Sequence, residues 1–386
     1  MARALAHIEK VHNIRPIEGA DRIEQIRVLG WNVIVKKDEF QAGDLCIYVE
    51  IDSKMPASDE RFDFLAAKDY KIKTMKMRGT ISQGIVFHLS AFPEIKEPVE
   101  GMDVTDILGV TKIVTAEEQR LAKEEKGVDP FKVKLNRVYT NHKKFATSKF
   151  GKWCLQHNWT KKIVVALLGG PAPKPLAFPT HLTQKTDEIR IENAPWLLGT
   201  GPYVMTEKID GSSATYILEK KRFGYEFYVC SRNVRQLDAA QQSYYEDNIY
   251  WEQAIKYDLQ NKMKYLFKVL SCKKTLVLQG EVAGPKVQAT KYGLSERDLF
   301  LFNLKVDGNR YSTYDLYNIA NSVQLKTVPI LGCITVLPNT IEEMKAMAEG
   351  QSAIGPCLRE GIVYRGTDGQ VSFKNVSNSF LLKQKD

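Results

Sequence analysis

The chain has 386 residues, 44% of them hydrophobic and 26% charged, with a mean hydropathy of -0.30 and a net charge of +9. This length predicts two or more domains with full cores. The longest aliphatic run, Ile163 to Leu168, is far too short to span a bilayer, and no apolar signal core follows Met1-Ala2-Arg3. Membrane and secreted classes are therefore set aside, and an intracellular protein of the cytoplasm or nucleoplasm is expected. The six cysteines are scattered without a CxxC pair, as are the six histidines. Buried, reduced thiols are expected, and no zinc site.

Residues 1–105 read as all-β. Ile26 to Leu29 and Trp31 to Val35 flank Gly30, and Leu45 to Val49 follows a turn at Gln41-Ala42-Gly43-Asp44. Lys71 to Arg78 alternates with period two and predicts one strand with a basic face, before Gly79 and Gly84 bracket a turn into Ile85-Val86-Phe87. Short strands at this spacing predict an OB-type barrel.

Residues 106–180 break the pattern and predict a basic, partly helical linker. Ala116 to Lys126 is a charged helical patch, Lys152 to Leu168 a helix ending at Gly169-Gly170, and Pro171 to Pro175 a stiff connector. Between Asp129 and Asp187 there is no acidic residue, yet Lys and Arg occur eleven times, interleaved with Phe131, Tyr139, Phe145, Phe150, Trp153, Trp159 and Phe178. Basic side chains neutralise phosphates and aromatic faces stack on bases, so this is the composition of a nucleic-acid surface. The alternative is a solvated linker with Trp153 and Trp159 tucked into a core. Lys143, Lys144, Lys149 and Lys152, with Arg78 of the barrel, are the candidate nucleic-acid contacts.

Residues 181–386 mix strands and helices, an α+β pattern. Gln236 to Lys268 reads helical, Thr275 to Leu278 and Leu299 to Phe302 read as buried strands, and Thr340 caps a helix running to Gly350. Ile362-Val363-Tyr364 and Gln370 to Phe373 form a hairpin around Gly366-Thr367-Asp368-Gly369. Within this region stands Thr206-Glu207-Lys208-Ile209-Asp210-Gly211-Ser212, followed by Ser231-Arg232-Asn233, Gly280-Glu281, Phe300 and Phe302, Arg359-Glu360-Gly361 and Ser372-Phe373-Lys374.

These are the ingredients for attack on a nucleotide α-phosphate by a lysine amine. A free lysine is almost wholly protonated at neutral pH, so a nucleophilic Lys208 needs desolvation, a nearby cation or a metal. Asp210 alone would favour the ammonium form. It makes chemical sense if it holds a divalent cation, with Glu281 and Glu360 as further oxygen ligands on strand ends. Arg232 and Lys374 supply positive charge at the phosphate, and Phe302 is a candidate base platform.

The ordered set resembles the motifs of the covalent nucleotidyltransferase superfamily: RNA ligases, DNA ligases and RNA capping enzymes. It is most similar to ATP-dependent RNA ligases with an N-terminal OB domain. Ile17 to Ile23, Phe40-x-x-Gly43-Asp44, Arg78-Gly79-x-x-Ser82-Gln83-Gly84 and Gln184 to Glu188 with Arg190 and Asn193 extend the likeness over nearly the whole chain. The resemblance implies a C-terminal nucleotidyltransferase domain of antiparallel, ATP-grasp-like sheets plus helices. It implies ATP and Mg²⁺ or Mn²⁺ as cofactors, and Lys208 as a lysyl-AMP. Glu207 would read the adenine edge, with Ile209 and Phe302 packing on the two base faces. Arg232 and Glu281 would fix ribose and phosphate, Asp210, Glu281 and Glu360 would bind the metal's waters, and Lys374 would hold the α-phosphate. Ser372 and Asn303 depart from the lysine and aspartate often found at those places.

DNA ligases and capping enzymes carry their OB domain after the core, and only twelve residues follow Lys374. An RNA ligase is therefore expected, joining 5′-phosphate and 3′-hydroxyl RNA ends at duplex nicks; a monomer is expected as well. DNA ligase, RNA guanylyltransferase and an inactive RNA-binding protein are the alternatives.

Overall fold

The computed structural model describes residues 4–113, 131, 134–135, 138–139, 142–169, 176–236, 248–288, 292–367, 369 and 371–383. The expected features at 116–126 and 171–175, and residue 368 of the expected hairpin turn, lie outside them.

The N-terminal barrel is built on a five-stranded antiparallel sheet. Its order is Trp31–Lys36, Ile23–Val28, Ala6–Pro16, Leu45–Val49, Ile85–His88. Ala6–Pro16 serves both halves of the sheet. Its first residues pair with Leu45–Val49 and its last with Ile23–Val28, the register shifting between Val11 and Asn13. Such an irregularity bends a strand and increases its twist, which helps the sheet curl. Closure is completed where the Ile34 N–H donates to Ser82 Oγ (3.0 Å) and the Gln83 N–H to the Asn32 carbonyl (2.8 Å). The strand expected over 71–78 is divided. Lys71–Ile72 pairs with Ser53–Lys54, whereas Met75–Met77 forms a separate hairpin with Thr80–Ser82. The turn at Arg78 and Gly79 folds the chain back before one ladder can run through, and it leaves Met77 exposed.

Helices Lys143–Thr147, Lys149–Gln156 and Asn158–Leu168 follow. The single helix expected from Lys152 to Leu168 is instead broken at His157, whose backbone is extended. Ser148 caps the middle helix, its Oγ accepting from the Gly151 N–H at 2.9 Å. Val138, Ala146, Leu155 and Val165 form a small core, which leaves Trp153 and Trp159 47% and 66% exposed rather than tucked away.

Among the described residues, the C-terminal region holds two sheets. The larger orders Leu176–Ala177, Val234–Arg235, Tyr225–Cys230, Ser212–Lys220, Thr275–Ala283, Asp298–Val306 and Asn309–Arg310, with Lys326–Thr327 parallel to Asp298–Val306. Helices Ile249–Lys256, Leu259–Val269 and Thr313–Ser322 bury Tyr216, Leu218, Met263, Leu278, Leu301 and Leu316 between them and this sheet. The long helix expected over 236–268 thus becomes two across the described residues, parted at Asp258, whose φ is 49°. The smaller sheet orders Ile189–Arg190, Ser372–Val376, Gly361–Gly366, Tyr203–Lys208 and Ile330–Ile334. Helix Ile341–Ala348 covers it; Thr340 Oγ1 caps this helix by accepting from the Glu343 N–H at 3.3 Å, as its sequence predicts.

Asp307 fixes the two-residue turn between Asp298–Val306 and Asn309–Arg310. Its carboxylate accepts from the N–H groups of Lys273, Lys274 and Thr275 at 2.8, 2.6 and 3.0 Å. Burial pushes this carboxyl up, but the three donors outweigh it and bring it down to about 2. A depressed folded-state value stabilises above the ordinary carboxyl range and is lost as pH falls toward 2. Asp307→Ala is therefore expected to cost about 1–2 kcal/mol at neutral pH, with the deficit shrinking below pH 4 in urea melts.

The barrel packs directly on the smaller sheet. The Gly30 N–H donates to the Glu192 carbonyl at 2.8 Å, and a Cβ at Gly30 would lie 2.7 Å from the Glu192 Cα. Trp31 Nε1 donates to Asn193, Asn193 donates to Glu50, and Arg190 pairs with Asp52 at 2.8 Å. Arg27 pairs with Glu342. All six cysteines are free thiols. Cys46, Cys154, Cys230 and Cys272 are buried as expected, whereas Cys333 is exposed. No helix among the described residues is long and apolar enough to cross a membrane.

Candidate active site

Lys208 ends strand Tyr203–Lys208 of the smaller sheet, and Ser212 begins strand Ser212–Lys220 of the larger one. Ile209-Asp210-Gly211 is the crossing between them. Gly211 permits it: a Cβ there would lie 2.4 Å from the Val282 carbonyl oxygen and 2.8 Å from Glu281 Cγ. Tyr292 steadies the crossing, its hydroxyl accepting the Asp210 N–H at 2.7 Å.

Sheet register then brings the remote carboxylates in. Lys208 pairs with Gly361, so Glu360 stands beside it, and Ser213 pairs with Glu281. Lys208 Nζ lies 2.6 Å from Glu360 Oε1, with the two side chains only 25% and 13% exposed. Burial pulls the Lys208 ammonium down. Glu360, Glu281 and Asp210 outweigh it and hold the amine above its ordinary value. Burial likewise pushes Glu281 up to about 8, against the pull of Lys208 and with Glu360 and Asp210 adding to the rise. Glu360 is raised chiefly by burial, and its Oε2 is buried without a hydrogen-bond partner.

Ile209, Arg232, Phe302 and Lys374 line the cleft around Lys208 as well. Arg232 and Lys374 converge on one carboxylate, Asp187, at 3.3 and 3.1 Å. Phe302 reaches the cleft through an irregularity: Gln279 pairs with Asn303 and Gly280 with Leu301, so Phe302 is the extra residue of a bulge. Ile209 is buried against Ala283, Tyr292 and Phe300. Glu207 is buried, and its carboxylate accepts from Ser352 Oγ at 2.5 Å and from the Ala353 N–H at 2.7 Å. Arg365 is buried beside these groups, 5.8 Å from the Phe302 ring centroid and 3.5 Å from Glu188, and burial brings its guanidinium down to about 10.

Ser352, Tyr292 and Arg365 have no counterpart in the sequence reading of the site, and Asp187 entered it only within the segment Gln184 to Glu188. Among the described residues, no three His, Cys, Asp or Glu side chains converge closely enough to hold a metal directly. Asp210, Glu281 and Glu360 therefore do not form an inner cage. Their arrangement fits an ion held through its waters, and the orphaned Glu360 Oε2 is a buried acceptor available to such a water. At the departures from the motif, Ser372 Oγ is buried without a partner, and Asn303 donates to Gln279 at 3.1 Å. Lys143, Lys144, Lys149 and Lys152 stand exposed on the short helices outside the cleft, and Arg78 sits on the barrel hairpin, donating to the Gly19 carbonyl at 2.8 Å.

Fold and cleft together are those of a nucleotidyltransferase. Residues 5–89 match a family of OB-fold domains, and residues 201–383 match the RNA ligase family. Solved structures of Naegleria gruberi RNA ligase match end to end. The form with PPi is 28% identical, covers 100% of both chains and has a TM-score of 0.75. A glutamate-to-alanine mutant with ATP and Mn gives the same values. A second such mutant, with AMP and Mn, is 27% identical over 99% of each chain with a TM-score of 0.74. No curated protein matches the chain. Residues 201–383 thus form an RNA ligase domain behind an OB-fold domain, the makeup of an ATP-dependent RNA ligase with an N-terminal OB domain.

Proposed function

We propose that this enzyme joins RNA 3′-hydroxyl and 5′-phosphate ends in three phosphoryl transfers through a lysyl-AMP at Lys208. The observation that carries the reading is Lys208 at the crossing of two sheets, 2.6 Å from Glu360, in one cleft with Arg232 and Lys374. The deprotonated amine attacks the ATP α-phosphate and pyrophosphate leaves. AMP then passes to an RNA 5′-phosphate, and an RNA 3′-hydroxyl displaces it. Positioning and charge neutralisation supply most of the rate.

Ile209 and Phe302 take the two faces of adenine, and Glu207, its carboxylate fixed by Ser352 and Ala353, borders the base edge. Arg232 and Glu281 hold ribose and phosphate, and Lys374 holds the α-phosphate. For this to happen Asp187 must yield the two cations to the nucleotide. Asp210, Glu281 and Glu360 hold the waters of Mg²⁺ or Mn²⁺. When bound, the ion offsets the carboxylates' hold on the ammonium and neutralises charge at the phosphate. The ATP and Mn of the Naegleria gruberi RNA ligase structures support this choice of cofactors.

The exposed lysines and tryptophans of the short helices grip a nicked duplex whose 3′-hydroxyl strand is RNA, together with Arg78 of the barrel. A single chain supplies every residue named, so a monomer is expected. Neutralising Lys143, Lys144, Lys149 and Lys152 together should lower RNA affinity and flatten its log–log salt dependence by about 3, leaving self-adenylylation intact; an unchanged slope would return these helices to a spacer role. With α-labelled nucleotides, the protein should take label from ATP and not from GTP. Equal sealing of an all-DNA nick would favour a DNA ligase, and no label at all an inactive RNA-binding protein.

A further inference from the structure

We infer that Lys112, on the short strand Thr111–Lys112 that pairs with Ser53–Lys54, binds the β- and γ-phosphates of the nucleotide, so that this N-terminal segment takes part in the first transfer; this rests on the lysyl-AMP reading above. Among the described residues, five cations line the cleft: Lys112, Lys208, Arg232, Arg365 and Lys374. Four already face a carboxylate. Lys208 faces Glu360 at 2.6 Å, Arg232 and Lys374 share Asp187, and Arg365 faces Glu188 at 3.5 Å. Lys112 is exposed and faces no carboxylate among the described residues.

Its position is fixed from two sides. Lys112 pairs with Ser53, and the Ile113 N–H donates to the Asp52 carbonyl at 2.9 Å. The Asp52 carboxylate in turn holds Arg190 at 2.8 Å, and Arg190 is the register partner of Lys374. A continuous path of paired backbone and one ion pair therefore ties Lys112 to Lys374 in the cleft.

The chemistry calls for a cation of this kind. As the Lys208 nitrogen bonds to the α-phosphorus, the bond from that phosphorus to the bridging oxygen breaks. The electron pair leaves with pyrophosphate, and the amine proton passes to water. In-line attack sends this leaving group away from Lys208, and Arg232 and Lys374 are committed to the α-phosphate. A cation such as Lys112, which faces no carboxylate among the described residues, is suited to the polyphosphate tail.

The test uses the full-length chain with Lys112→Ala and Lys112→Arg. Single-turnover AMP transfer is followed against ATP concentration, and reversal of the adenylylated protein against pyrophosphate concentration. Lys112→Ala should raise both half-maximal concentrations about tenfold, Lys112→Arg should restore them in large part, and sealing of pre-adenylated RNA should be unchanged. Unaltered ATP and pyrophosphate dependence in Lys112→Ala, beside a wild type that labels normally, would overturn the inference. So would a defect confined to AMP transfer onto 5′-phosphate RNA, which would place Lys112 on the RNA. A wild type that takes no AMP would overturn the lysyl-AMP reading, and the inference with it.

Discussion

Lys208→Ala is expected to abolish self-adenylylation, by about 10⁴-fold or more, while leaving the protein folded and able to bind ATP. The strand that carries Lys208 is held by six register pairs to Gly361–Gly366 and by Ile330–Ile334 on its other side, so removing one partly exposed side chain leaves the ladder in place. The amine is the group that forms the new bond, and among the described residues Lys208 is the lysine at the crossing of the two sheets. Sealing of pre-adenylated RNA should survive, because there the AMP is already on the RNA. That split separates loss of the nucleophile from loss of the fold. Equal loss of both activities, with a lowered Tm, would point to a structural role for Lys208 instead.

Glu360→Gln is expected to slow AMP transfer at saturating ATP by about 10²–10³-fold. Glu360 holds the Lys208 amine at 2.6 Å, and its second oxygen is buried and unpartnered. The amide keeps the volume and can still touch the amine, but it loses the charge and turns one acceptor into a donor. Excess Mn²⁺ or Mg²⁺ should recover part of the rate if the carboxylate holds the ion's waters. Wild-type rates in Glu360→Gln would remove this carboxylate from the chemistry, and a fall in urea stability matching the fall in rate would assign it to packing.

The residues of the site could be named from the sequence because the chemistry restricts residue types: an amine for attack, carboxylates for an ion, cations for phosphate. Their distances could not, because Lys208 meets Glu360 only through the pairing of strands 152 residues apart, and Glu281 through a second sheet. Phe302 illustrates the limit of periodicity. Alternation places Phe300 and Phe302 on one face, but it is the bulge that delivers Phe302 to the cleft. The anchoring of Glu207 by Ser352 and of Asp210 by Tyr292 arises from loops whose sequences carry no local signal. Arg365 reads as an ordinary strand residue until the fold buries it. In the barrel, alternation over 71–78 suggested a ladder that the turn at Arg78 and Gly79 interrupts. Conversely, the interleaving of tryptophans with lysines was legible in composition, and their exposure followed from how few apolar partners the short helices offer.

The most direct measurement is mass spectrometry of the wild-type chain after incubation with ATP and Mg²⁺, followed by peptide mapping. One AMP per chain should appear on the peptide containing Lys208, labile to acid as a phosphorus–nitrogen bond is. An AMP mapped to another residue, or sealing-competent protein that never carries one, would contradict the account.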